Sequence, residues 1–265
     1  MKKIGIFVLI LLMVIQLMAC VATPVGDPSQ PTQTDPSDPT GDTQVTDPTD
    51  PTDPPPPAHS EYYIEGLAVE DVIRYFNEIC LDAEFSSGSG NASLVQKWVV
   101  PIKYIIYGSY TDKDKEVLDG FVSWLNTIDG FPGMSETSIP AEANLNIYFC
   151  TQQELVDILG DNFWGTDGGV TFWYMDNKIY QENICYRTEI NQYTRNSVIM
   201  EEIYNGLGPV QDTDLREDSL VYSGFSEPQE LTKVDELLLK LLYHPDILPG
   251  MNAQECEEVI RRLYW

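Results

Sequence analysis

Apolar residues recur at helical spacing in LAVEDVIRYFNEICLDAEF, where Val69, Val72, Ile73, Phe76, Ile79 and Cys80 share one face, and the polar run SSGSGN ends the pattern. LVQKWVVPIKYIIYGSY is rich in β-branched and aromatic side chains and predicts a strand. TDKDKEVLDGFVSWLNTIDGFPG then predicts a helix capped by Thr111 or Asp112 and stopped by glycine and proline. ANLNIYFCT predicts a second strand and QQELVDILG a short helix. In GGVTFWYMDNKIYQENICYRTEI two apolar-aromatic runs meet at MDNK, the pattern of a hairpin or of two edge strands of one sheet. After Asn191 the period becomes helical to about Leu207. A strong helix follows Thr232, ended by His244-Pro245, and NAQECEEVIRRLYW supplies the last one. The domain is therefore expected to be of the α+β class.

The N-terminus adds an address. Two lysines precede an apolar run, Ile4 to Ile15, shorter than the roughly 20 residues a spanning helix needs. Residues 1–19 read as a secretory signal, and Leu17-Met18-Ala19-Cys20 resembles the bacterial lipobox, which implies diacylation (palmitate among the acyl chains) of Cys20 as the mature N-terminus. Residues 20–60 carry the lipidated cysteine and an Asp/Pro/Thr-rich stretch; Val21 to Ser60 holds eleven prolines, seven aspartates and no lysine or arginine. Such a segment buries too little apolar surface to offset its ordering entropy and serves as a disordered, semi-rigid stalk. The expected location is the extracytoplasmic face of the cell membrane, lipid-anchored, as on a Gram-positive cell surface.

Residues 61–265 then form one domain, long enough for a core of its own. With the leader's two lysines and the stalk's seven aspartates set aside, it holds 13 basic against 35 acidic side chains. That surface repels phosphates, so no nucleic-acid partner is expected, and the membrane is reached through the lipid anchor. Cys80, Cys150, Cys185 and Cys256 are far apart and form no C-x-x-C pair. An oxidising exterior permits one or two disulfides, core thiols fit as well, and the pairing stays open.

Chemistry concentrates in SVIMEEIYNGLGPVQDTD. Residues four apart on a helix share a face, so Glu201 and Asn205 address the same object with Glu202 beside them. This is the geometry of H-E-x-x-H, two metal ligands flanking a glutamate that polarises a metal-bound water. Here the frame reads Glu201-Glu202-Ile203-Tyr204-Asn205, and the extended pattern continues to Gly208, which matches, and Gln211, which does not. The chain has two histidines, His59 in the stalk and His244, so no ordinary zinc site of histidines can form in the domain. No cofactor is expected. Oxygen donors at Glu201, Glu202, Asn205, Asp212 or Asp214 suit calcium or another hard cation better than zinc. The alternative is structural: Glu201 pairs with Arg195 or Arg216 or caps a neighbouring strand, and Glu202 is solvated. Asp212, Asp214, Glu217 and Asp218 lie outside EF-hand register and read as a polar loop. Phe172, Trp173, Tyr174, Tyr180 and Tyr186 form either a carbohydrate or peptide platform or the cover of a half-buried sheet.

From Arg195 onward the motifs VIMEEIYNGLG, QDTD, DSLVYSGF and ELTKVDELLLKLLYHPDILPGM resemble an uncharacterised bacterial family of secreted proteins and lipoproteins, number 2927 in the domain-of-unknown-function series. The resemblance extends from about Trp98 to the C-terminus, with Asn205 where that family has glutamine and Pro209 where it commonly has leucine. It implies a zincin-like domain: a mixed twisted sheet whose edge strand borders a cleft, a central "active-site" helix beneath it, and a C-terminal helical subdomain. By the same analogy Leu248-Pro249-Gly250-Met251 takes the place of a methionine turn, and Glu201, Glu202, Asn205 and Met251 line the cleft. The expectation is a catalytically inactive, metallopeptidase-like module that binds a peptide or cell-envelope partner. The alternatives are a metal-dependent hydrolase with Glu202 as the catalytic base and an envelope-polymer binder.

Overall fold

The structure, a computed structural model, describes residues 5–8, 59–81 and 94–265. Cys20, the leader beyond Val8 and the stalk up to Ala58 lie outside the described residues. Among the described residues no helix is long and apolar enough to cross a membrane.

The sheet is mixed and mostly parallel. Its strands are β1 (Gly5–Val8), β2 (Lys97–Trp98), β3 (Ile102–Gly108), β4 (Met134–Glu136), β5 (Leu145–Cys150), β6 (Gly168–Met175) and β7 (Lys178–Arg187), in the order β1-β6-β7-β5-β3-β4. β4, β3, β5 and β7 run parallel; β6 returns antiparallel to β7, and β1 lies antiparallel along the far side of β6. β2 pairs with the start of β7, at Lys178 and Ile179, ahead of the stretch that β5 occupies. Pro101, which has no N–H to donate, separates β2 from β3, so the single strand the sequence predicts there is two. The β6–β7 turn places Asp176 and Asn177 at φ 53° and 61°, left-handed values that these two residue types tolerate best after glycine.

Among the described residues there are six α-helices: α1 (Val69–Leu81), α2 (Asp112–Leu125), α3 (Gln152–Leu159), α4 (Gln192–Gly206), α5 (Lys233–Tyr243) and α6 (Ala253–Tyr264). Threonine capping boxes start α2, α3 and α5, and Asn252 starts α6, so the first-turn N–H groups are satisfied locally. Strand alternation divides the apolar residues between two faces. On one face Val170, Phe172, Ile184 and Tyr186 join the large core with α1, α2, α4, α5 and α6; on the other, Cys150 and Cys185 pack against Leu155, Leu159 and Phe163 around α3.

Candidate functional site

α4 is fixed at its start. The Asn191 side chain caps it by accepting from Thr194 N. Arg195, nearly buried, donates through Nε to Asp114 Oδ1 of α2 at 2.8 Å and through Nη1 to the carbonyls of Thr188 and Ile190. Arg195 is therefore committed to Asp114, and Arg216 to Asp218 at 2.6 Å, so neither forms the expected ion pair with Glu201. Among the described residues no salt bridge reaches Glu201.

The middle of α4 presses onto the sheet through two glycines. Gly168 on β6 leaves room for Val198 and Glu202; a Cβ there would lie 2.4 Å from Val198 Cγ1 and 3.0 Å from Glu202 Oε1. Gly206 on α4 leaves room for Glu182 of β7, whose Oε1 would be 1.5 Å from a Cβ at that position. Trp98 Nε1 donates to Gly206 O at 3.1 Å, and Tyr186 Oη donates to Ile199 O at 3.1 Å. Glu182 and Glu202 are 1 % and 2 % exposed, so Glu202 is a sealed interior group rather than a solvated one.

Burial governs the electrostatics. It pushes the Glu202 carboxyl far above the usual carboxylate range, and the neighbouring charges of Glu201, Asp212 and Glu182 push the same way. Glu182 is raised well above its ordinary value by burial, which the nearby Trp98 indole N–H opposes. Glu201, half-buried, is raised to about 8 by burial and then by Asp212 and Asp167. Asp167 is itself raised by burial, which the Arg187 guanidinium opposes. A run of carboxyl groups thus enters the α4–β6–β7 interface, and burial disfavours the charged form of its innermost members most. Glu182 has no counterpart in the sequence reading, although Glu182, Ile184 and Tyr186 alternate on one face of β7 and that period marks it as inward-facing.

Asn205 is 1 % exposed, and its Oδ1 finds no hydrogen-bond partner among the described residues; the same holds for Glu182 Oε1. Gln211 and Asp212 are half-buried in the loop after α4, where Asp212 acts electrostatically on Glu201 and Glu202. Among the described residues no three His, Cys, Asp or Glu side chains converge with metal-binding geometry. The donor set at Glu201, Asn205 and Gln211 is all oxygen and lacks the imidazole or thiolate that zinc selects, so these residues do not fit zinc.

Met251 is placed elsewhere. Its Sδ accepts from Leu248 N, its carbonyl accepts from Val95 N, and neighbouring Gly250 lies against Asn177 at the hairpin turn. Glu202 lies at Gly168, so the length of β6 separates the methionine from the glutamate. The turn is held from below by Lys97, a buried lysine that donates to Leu242 O and Ile247 O and whose charge burial lowers to a pKa of about 8. His244 ends α5 and accepts from Asp246 N at Nδ1. Of the proposed aromatic platform, Phe172 and Tyr186 are core residues, Trp173 and Tyr174 are half-buried, and Tyr180 is exposed. The aromatic cluster is therefore mainly the cover of the sheet. In the acidic loop Thr213 Oγ1 donates to Glu78 Oε1 of α1, and Ser219 Oγ donates to Asp235 Oδ1 at the start of α5, so two of its hydroxyls lace helices together.

Over residues 69–262 the chain matches the family described as "Protein of unknown function (DUF2927)". No curated protein matches it.

Proposed function

The chain belongs to the DUF2927 family, and we propose that its domain is a zincin-like scaffold without peptidase chemistry, a lipid-anchored extracytoplasmic module that binds an extended peptide or envelope partner along β6. The observation that carries this reading is the seat of Glu202. A general base must reach a water; Glu202 instead lies against Gly168 inside the α4–β6 contact, sealed from solvent, where burial opposes its charge. Three features support the zincin-like part: the antiparallel β6 flanking a parallel block, α4 packed on β6 and β7, and the helices α5 and α6 after it.

The binding part is supported by the strand β1. Gly5–Val8, inside the expected leader, pairs antiparallel with β6 in the register Gly5↔Tyr174 to Val8↔Thr171. Removal of a leader would free that row of backbone donors and acceptors for another extended chain.

The test is metal content by plasma mass spectrometry on protein purified without chelators or a histidine tag, together with binding of an extended peptide of the sequence KKIGIFVLI. Peptide binding without stoichiometric metal upholds the reading. One metal per chain, lost in Glu201→Ala, replaces it with the metal-dependent hydrolase.

A further inference from the structure

A second concavity opens on the side of α4 turned away from the sheet. A groove of about 320 Å³ lies between α2, α4 and the segment before α5, in the size range of small-ligand and peptide side-chain sites. Its floor is apolar: Val117, Phe121 and Trp124 from α2, Met200 from α4 and Leu231. Phe121 and Trp124 stack on one another at 5.7 Å, which holds the two rings together in the wall of the groove.

Gly120 lines the same groove, in the interior of α2. Glycine is among the least favourable residues at such a position, because the unfolded chain loses most freedom there. The usual structural reasons for keeping one are absent: its φ is not positive, and a Cβ built on it meets nothing within 4 Å. What Gly120 does provide is depth, since any larger side chain would stand in the groove.

The rim is acidic, with Glu116, Glu230 and Glu236 around the opening. Glu116 is paired with Lys113 and Glu236 with Lys240, while among the described residues no salt bridge reaches Glu230. The domain as a whole carries the same sign. Apolar floor, paired aromatics and a negative rim are together complementary to a lysine or arginine side chain whose methylene stem packs on the rings and whose charge stays at the edge.

We propose that this α2–α4 groove is a docking site for a basic, amphipathic peptide segment, distinct from the β6 edge and independent of any chemistry at Glu202. The probe is a fluorescent Lys-Leu-Leu-Lys-Leu-Leu-Lys peptide titrated into the full-length chain by anisotropy, beside its Glu-for-Lys counterpart. The wild type is expected to bind the basic peptide in a salt-dependent way and to ignore the acidic one. Gly120→Leu fills the groove and leaves the charge untouched; it should weaken binding by about tenfold while the melting temperature stays level or rises. Glu230→Arg, on an exposed residue, should weaken binding and flatten its salt dependence without any change in packing. Equal binding by Gly120→Leu would reduce the attraction to the diffuse negative surface and overturn the proposal, and so would absence of binding by the wild type.

Discussion

The carboxyl group of Glu182 occupies the volume that a side chain at residue 206 would need: its Oε1 lies 1.5 Å from where a Cβ on Gly206 would stand. One residue is on β7 and the other near the end of α4, so this contact sets how closely the helix approaches the sheet.

The first prediction is a reversal of sign. Gly206→Ala should cost about 1–3 kcal/mol through overpacking, although alanine is the better helix former by about 1 kcal/mol. In a Glu182→Ala background the obstacle is gone, and the same Gly206→Ala change should stabilise. Urea denaturation of the four proteins in the cycle measures both. An equal effect of Gly206→Ala in the two backgrounds would mean that the glycine answers to something other than Glu182.

The second concerns pH. Glu201, Glu202 and Glu182 all have folded-state pKa values raised above the ordinary 4.5, with burial the first cause. Below that value both states carry the proton and no penalty arises. Above it the folded state binds more protons than the unfolded one, so stability falls as pH rises, through about 8 for Glu201 and in the same direction for the two sealed groups. Asp114 has the opposite sign: burial opposes its charge, but bonds from Arg195, Thr111 and Gln192 hold its pKa below 3.8, so its contribution is lost only in acid. The protein should therefore be more stable at pH 5.5 than at pH 8. Glu202→Gln, neutral at every pH, should flatten that slope and stabilise the protein at pH 8 relative to the wild type. Denaturant midpoints at pH 5.5, 6.5 and 8 decide it, and an unchanged slope in Glu202→Gln would show that Glu202 ionises freely.

Local signals were legible in the chain and long-range ones were not. The helical period gave α4 to within one residue of its end, Thr232 marked the start of α5, and the MDNK turn closed the hairpin at Asp176 and Asn177. Each of these rests on residues a few positions apart. β4 escaped because three residues carry no usable period. The site frame Glu201-Glu202-Asn205 was visible as a spacing, yet its meaning depends on Glu182, Trp98 and Gly168, which approach it from β7, β2 and β6. Spacing located the carboxyl groups and could not show that Glu202 is sealed while Glu201 is half-buried. Met251 was drawn into the cleft by analogy with a methionine turn, whereas the chain returns past Val95 and Asn177.

The third prediction follows from a pair no local pattern reveals, Arg195 and Asp114, 81 residues apart and bonded at 2.8 Å. Asp114 is 1 % exposed and also receives Gln192 Nε2 and Thr111 N. Removing one partner leaves an uncompensated interior charge, so Arg195→Met or Asp114→Ala should each cost about 3–5 kcal/mol. The double variant should cost clearly less than the two together, because the second change removes the charge the first one stranded. Strict additivity in thermal or urea unfolding would show that the pair is not coupled.

The fourth prediction settles the cysteine pairing that the sequence left open. All four described thiols are free and buried, but they are arranged as neighbours: Cys150 and Cys185 hydrogen-bond one another beneath α3, and Cys256 of α6 acts electrostatically on Cys80 of α1. The Cys185 hydrogen bond lowers the Cys150 pKa, while Cys185 is raised, so Cys150 is the more acidic thiol of the pair and the attacking sulfur once it has lost its proton. With oxidised glutathione as the oxidant, Cys150 forms the mixed disulfide and expels glutathione thiolate. The Cys185 sulfur, losing its proton, then displaces the second glutathione and closes the bridge. Peptide mass spectrometry should recover Cys150–Cys185 first, and the bridged protein should gain on the order of 3–4 kcal/mol from the closed loop. Bridges that join Cys150 to Cys80 or Cys256 instead would contradict the packing of α3 on β5 and β7. Because both sulfurs lie on the face opposite Glu202, bridge formation should leave peptide binding at β6 unchanged, which separates a structural disulfide from a redox switch of the site.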